Sequence, residues 1–283
     1  MEGMIVPALA ALACGAVVGV ALGLTGGGGS IFAVPLLIYG LGVLPADAVA
    51  ISLVAVAATA AVGAAHTLRY GLVVWQPSIL LALGGALSAP LGTAVGQRVD
   101  PQSHVAAFAL LAVVVGSLMW RASRTHPAQA SAVRALPRGP GSGPICVLAP
   151  DGQLRFTAPC ALALALVGVG TGFLSGLLGV GGGFLIVPSL VLVTRMGVHR
   201  AVATSLVIIT VIGAAGAATA VLQGRIDWSV LAPFAAGGAF MMIVTRLFAA
   251  RLAGPALQRA FAVSIVLVGV SMLAANVIHG APR

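Results

Sequence analysis

The chain has 283 residues, of which 60% are apolar and only 7% charged, with a mean hydropathy of +1.15. A soluble globular domain carries about 25% charge, so a soluble enzyme, a disordered chain and a fibrous repeat are excluded and a polytopic helical membrane protein remains. The formal net charge of +9 comes from 14 arginines scattered between apolar runs, the layout of membrane-flanking loops and not of a nucleic-acid surface.

The first apolar segment covers about 4–24. The N-terminus ahead of it carries Glu2 and no early Arg, so it reads as a retained membrane helix and not as a cleaved signal. A run of glycines, Gly26–Gly29, then precedes a second segment at 30–44 that contains Pro35. Three longer segments follow at about 47–66, 77–96 and 103–120. Residues 121–144 are rich in Arg, Pro, Gly and Ser and read as a tether. Residues 145–157 alternate around Asp151–Gly152, a pair suited to a hairpin turn. Five more segments follow at about 158–179, 183–195, 199–220, 229–250 and 257–279, with Pro188 in the second of them. Cys14, Cys146 and Cys160 share no short spacing, so neither a disulfide framework nor a zinc site is expected.

The two sets of five are copies. Sliding the chain by 153 residues lays GLTGGGGSIFAVP (Gly23–Pro35) on GLLGVGGGFLIVP (Gly176–Pro188) and AVAISL (Ala48–Leu53) on AVATSL (Ala201–Leu206). The same offset pairs Trp75 with Trp228, Arg98 with Arg251 and Phe108 with Phe261, without a gap. An unbroken register of this kind marks an internal repeat. Three parts follow: a first membrane repeat at 1–120, a linker at 121–157, and a second membrane repeat at 158–283. The second segment of each repeat is too short for the ~30 Å hydrocarbon core. It is expected to be a short, tilted or broken helix.

The arginines choose a topology. If the short segment returns the chain to its starting side, Arg69, Arg121, Arg124, Arg134, Arg138, Arg155, Arg195, Arg200, Arg246, Arg251 and Arg259 share one face, leaving Arg98, Arg225 and Arg283 on the other. That bias is what the positive-inside rule expects. It places both termini outside a bacterial-type inner membrane, the linker in the cytoplasm, and the repeats in inverted orientation. The fold expected is therefore an all-α integral membrane protein of two inverted repeats, each with about five membrane-embedded segments.

The glycine tracts are the candidate site. Gly26, Gly27, Gly28 and Gly29, and their counterparts Gly179, Gly181, Gly182 and Gly183, stand where a long helix ends and the short one begins. Glycine admits a sharp bend and close backbone approach. The free N–H groups at a helix N-terminus favour anions. An inverted fold would bring the two tracts together around a small central pocket. Thr25, Ser30, Ser52, Thr204 and Ser205, with Ser175, lie near enough to add hydroxyls. Gly15, Gly19 and Gly23 and their mates Gly168, Gly172 and Gly176 recur every four residues and read as helix-packing positions. No carboxylate falls in the middle of a span, so carboxylate-based ion coupling is not expected. No nucleotide loop, metal cluster or nucleophile–base pair is present, so no enzyme activity, cofactor or metal is expected.

The paired tracts with their following Pro35 and Pro188, each succeeded by the A-V-A-x-S-L element, resemble the TauE/SafE sulfite exporter family, also called the sulfonate/sulfite permease family. The resemblance covers nearly the whole chain outside 121–157. It implies an inner-membrane transporter moving sulfite, sulfoacetate or a related small organosulfonate, with export favoured by the membrane potential. An anion channel, and a non-transport assembly partner or membrane enzyme, are the other classes considered. The partners expected are a small anion and the lipid bilayer, with no nucleic acid. A homodimer is left open.

Overall fold

The computed structural model describes residues 2–125, 147–148, 154–155, 158–179, 183–194, 196, 198–222, 224, 226–252 and 263–274. The first repeat contains α1 (Glu2–Thr25), α2 (Gly28–Gly40), α3 (Pro45–Arg69), α4 (Trp75–Gly96) and α5 (Pro101–Thr125). The second contains α6 (Ala158–Leu178), α7 (Gly183–Thr194), α8 (Val198–Leu222), α9 (Trp228–Leu252) and α10 (Val263–Ala274). Between the repeats, Val147–Leu148 (β1) pairs antiparallel with Leu154–Arg155 (β2); the expected turn at Asp151–Gly152 lies outside the described residues. Among the described residues, six helices are long and apolar enough to cross a membrane: α1, α3, α4, α6, α8 and α9.

Local chemistry explains the boundaries. Pro45 opens α3 where its missing N–H costs nothing, and Asp47 places a negative charge in the first turn. Asp227 accepts hydrogen bonds from the Ser229 N–H (2.9 Å) and hydroxyl (2.6 Å) at the start of α9, which holds its carboxyl below the usual range. Pro35 interrupts α2, which begins as a 3₁₀ turn over Gly28–Phe32 and widens into a π turn over Leu36–Gly40. With 13 residues it reaches about 20 Å, and α7, with 12, about 18 Å.

The long helices pack in the pattern that the repeat requires. Gly15, Gly19 and Gly23 of α1 meet Phe234, Gly238 and Thr245 of α9 in parallel; Gly168, Gly172 and Gly176 of α6 meet Leu81, Gly85 and Ala89 of α4 in the same way. The offset of 153 residues maps Gly15–Phe234 onto Gly168–Leu81 and Gly19–Gly238 onto Gly172–Gly85, and Gly176–Ala89 onto the contact of Gly23 with Met242. A Cβ on Gly168 would stand 2.8 Å from the Leu81 carbonyl oxygen. In a membrane, where lipid removes the hydrophobic drive between helices, such backbone approach is a main source of association.

At the centre, α3 and α8 run antiparallel. Gly63 meets Leu206 and Gly216 meets Leu53, a pair of contacts that interchange under the same offset. Fully buried Ile51, Leu53, Leu206, Ile209 and Ile212 fill the space between them and their neighbours. The outer faces are apolar instead of polar. Ile79, Leu83, Leu87 and Leu91 form an exposed stripe at four-residue spacing along α4, as expected of a lipid-facing side. Trp75 and Trp228 are exposed at the first positions of α4 and α9, suited to interfacial anchoring.

Charge is polarised along the bundle. Helix directions put the starts of α1, α3, α5 and α9 at one end, with Glu2, Asp47, Asp100 and Asp227, and with Arg98 after α4. The other end holds Arg69 at the finish of α3, Arg200 at the start of α8, and Arg246 and Arg251 near the finish of α9.

One expectation is corrected. Cys160 at the start of α6 is disulfide-bonded, although sequence spacing suggested no pairing; Cys14 is free. A disulfide joins residues that the fold makes neighbours, which a search for short metal-type spacings does not detect.

The packing glycines generate a paired test. Gly19→Leu places a side chain against the Gly238 backbone and should destabilise the protein by about 1–3 kcal/mol. Gly170→Leu, where nothing lies within 4 Å, should leave it unchanged. Thermal unfolding in detergent compares the two, and equal melting temperatures would contradict the packing.

Candidate functional site

The glycine tracts form two bends, each at the end of a long helix. Gly26 terminates α1 with φ +73°, and Gly179 terminates α6 with φ +70°. This left-handed backbone is open to glycine at little cost. Gly26 N–H closes the turn on the Leu22 carbonyl (2.7 Å), and Gly179 N–H on that of Ser175 (2.9 Å). Space is restricted as well as conformation. A Cβ on Gly26 would stand 2.7 Å from the Val202 Cα, and one on Gly179 2.7 Å from the Val49 Cα. These two contacts are again mates, so each bend is seated on the third helix of the opposite repeat.

The seating is fastened by hydroxyls. Ser205 Oγ donates to the Gly26 carbonyl at 2.6 Å, and Ser52 Oγ donates to the Gly179 carbonyl at 2.5 Å. The Val202 and Val49 carbonyls also lie within 2.8 Å of the same two hydroxyls. Ser52 and Ser205 are completely buried. Each hydroxyl has one proton to give, and here it goes to the bend of the other repeat. Their position is that of a clasp between repeats.

The bends converge. A Cβ on Gly183, the first residue of α7, would lie 2.8 Å from the Gly27 Cα and 2.8 Å from its carbonyl oxygen; a Cβ on Gly27 would collide with the Gly183 carbonyl. The starts of α2 and α7 thus meet backbone to backbone. Gly28, Gly29 and Ser30 are buried beside this contact. The first N–H groups of each short helix precede its own acceptors, and both helix dipoles present their positive ends here. In this conformation the backbone contact between the bends is closed.

The remaining predicted residues are distributed as follows. Thr25 Oγ1 donates to the Ala21 carbonyl (2.6 Å), and Ser30 Oγ to the Gly27 carbonyl (2.7 Å). Thr204 Oγ1 accepts the Val74 N–H at 3.1 Å, which ties α8 to the start of α4. Gly181 and Gly182 lie outside the described residues. Ser175, one turn before Gly179, is buried at 1% exposure and its Oγ has no hydrogen-bond partner. An orphaned buried hydroxyl is uncommon and carries a desolvation cost, so it is a donor free for a ligand.

A cavity of about 130 Å³ lies behind the second bend, lined by Val49, Ala50, Thr93, Gly96, His104 and Leu177 among others. Val49 is the residue on which Gly179 rests, so one residue borders both the cavity and the bend. His104 Nε2 is buried there without a partner. The sequence alone marks no role for His104, whose one signal is its position just inside the segment at 103–120, after Asp100.

Residues 11–272 match the family model described as Sulfite exporter TauE/SafE. The chain is 35% identical over 225 residues to a probable membrane transporter protein of Xylella fastidiosa strain 9a5c, covering 79% of this chain and 78% of the relative. A probable membrane transporter protein from strain Temecula1 is 34% identical over 265 residues, 92% of each chain. The probable membrane transporter protein YunE of Bacillus subtilis is 24% identical over 224 residues, 76% of this chain and 78% of its own. No solved structure matches.

Removing a clasp should loosen its bend. Ser205→Ala and Ser52→Ala each leave a buried glycine carbonyl unsatisfied and should each cost about 1–3 kcal/mol. Melting temperatures of the single and double variants check this, and two silent single variants would show that the clasps do not hold the bends.

Proposed function

The chain belongs to the TauE/SafE sulfite exporter family of membrane transporters, and on that premise we propose that it carries a small sulfur-containing anion (sulfite, sulfoacetate or a related organosulfonate) held between the two glycine bends. The observation that carries this reading is the convergence of two helix N-termini at Gly27 and Gly183, in a region whose described residues include no carboxylate. Two half-charges of positive sign face one point, and an oxyanion or sulfonate satisfies several N–H groups at once. Ser175 Oγ adds an unused donor beside the second bend.

The repeats are inverted in the membrane in this reading. Support comes from the antiparallel central pair, α3 and α8, whose contacts interchange under the repeat offset. Such symmetry supplies two nearly equivalent seats for one site, one exposed to each side in turn. Cavity and cargo then exchange sides as one bend and then the other lifts from its clasp. The closed Gly27–Gly183 contact favours a carrier over a channel. Export gains from the membrane potential, about 2.3 kcal/mol per 100 mV for each negative charge moved out. A carrier driven in this way needs no carboxylate relay.

The basic end of the bundle faces the cytoplasm under the positive-inside rule, which puts the 121–157 linker inside and both termini outside. The disulfide at Cys160 pulls the other way, because disulfides persist mainly in oxidising compartments. A reporter fused within the linker decides between them. A cytoplasm-active reporter at residue 130 is the expected result, and an export-active one would reverse the orientation.

Flux in proteoliposomes tests the function. Sulfite or sulfoacetate should move, and zwitterionic taurine should move more slowly. Gly27→Ala adds a Cβ in the path of the Gly183 carbonyl and should lower flux at least tenfold. Undiminished flux in that variant would remove the bends from the transport path.

A further inference from the structure

Arg246 is a half-buried arginine inside a membrane-length helix. It stands in the last two turns of α9, within the span Trp228–Phe248, and its Nε is buried without a hydrogen-bond partner. A charge inside a span is costly and tends to mark a substrate path. The acidic residues with described positions, Glu2, Asp47, Asp100 and Asp227, all stand at the opposite end of the bundle. None is placed to neutralise it.

Its place in the repeat gives its equivalent position. The offset of 153 residues maps Arg246 onto Thr93, Val202 onto Val49 and Ala203 onto Ala50. Thr93, Val49 and Ala50 line the cavity behind the second bend. Val202 is the residue on which Gly26 rests, and Thr245, next to Arg246, packs against Gly23, three residues before that bend. Arg246 therefore holds, behind the first bend, the position that neutral Thr93 holds behind the second.

We propose that Arg246 binds the transported anion on the basic face of the protein, beside the first glycine bend, and that the Thr93/Arg246 difference makes the two approaches to the site unequal. The inference rests on the carrier reading above. A guanidinium offers a planar fork of donors that fits two oxygens of a sulfite or sulfonate group. Partial burial raises the strength of that interaction and strips some of the cation's hydration. Anions are captured strongly on the Arg246 side. On the Thr93 side they meet only neutral donors and leave readily. The asymmetry gives a symmetric scaffold a preferred direction of loading.

The test measures sulfite flux against concentration in proteoliposomes of defined protein orientation, with Arg246→Gln and Arg246→Lys beside the wild type. Arg246→Gln should raise the KM at least tenfold when sulfite is presented to the Arg246 face, and should leave the KM at the other face nearly unchanged. Arg246→Lys, which keeps the charge and loses the fork, should fall between. The melting temperature of Arg246→Gln should not drop, because the substitution removes a half-buried charge whose Nε has no partner. If wild-type protein moves sulfite and Arg246→Gln has the same KM on both faces, the inference fails alone. Equal rises at both faces with a lowered melting temperature would assign Arg246 a structural role and also overturn it. Wild-type protein that moves none of the anions would overturn the carrier reading and this inference together.

Discussion

Two backbone bends occupy one place at the centre of this protein, and they can do so only because neither carries a side chain. Gly27 and Gly183 leave no volume for a Cβ at their contact, and Gly26 and Gly179 adopt a backbone that other residues resist. The short helices α2 and α7 begin at these bends, so their orphan N–H groups and positive dipole ends are delivered to the same point. Helix direction, clasp and packing all serve that delivery.

The rest of the bundle reads as a device for holding the bends without sealing them permanently. Each is fastened to the other repeat by one serine hydroxyl and one valine contact. Those are modest interactions, of the order of 1 kcal/mol net for a hydrogen bond. The glycine-lined contacts of α1 with α9 and of α4 with α6 are far more extensive and bring backbone against backbone. Rigid helix pairs flanking weakly fastened bends suit a carrier in which the pairs persist while the bends exchange seats. The half-buried Arg246 breaks the symmetry of this arrangement in charge, though not in architecture.

Much of this was legible in the sequence, for physical reasons. The spans announce themselves through length and apolarity, and the short helices through Pro35 and Pro188 and the glycines before them. The duplicated register gave the repeat, and three mated glycines at four-residue spacing gave the packing faces. What resisted was non-local. Ser52 and Ser205 were recognisable as a polar pair, but that their partners are the Gly179 and Gly26 carbonyls depends on contacts between residues more than 120 positions apart. Arg246 falls within the segment at 229–250 or at its end, but hydropathy does not reveal which way a helix face turns. The bonded state of Cys160 was hidden for the same reason.

The most direct measurement is an experimental structure determined with and without saturating sulfite. The account predicts anion density between the two bends, within hydrogen-bond distance of N–H groups at the starts of α2 and α7, with Gly27 and Gly183 moved apart. Sulfite bound elsewhere, with the Gly27–Gly183 contact intact in both states, would contradict it.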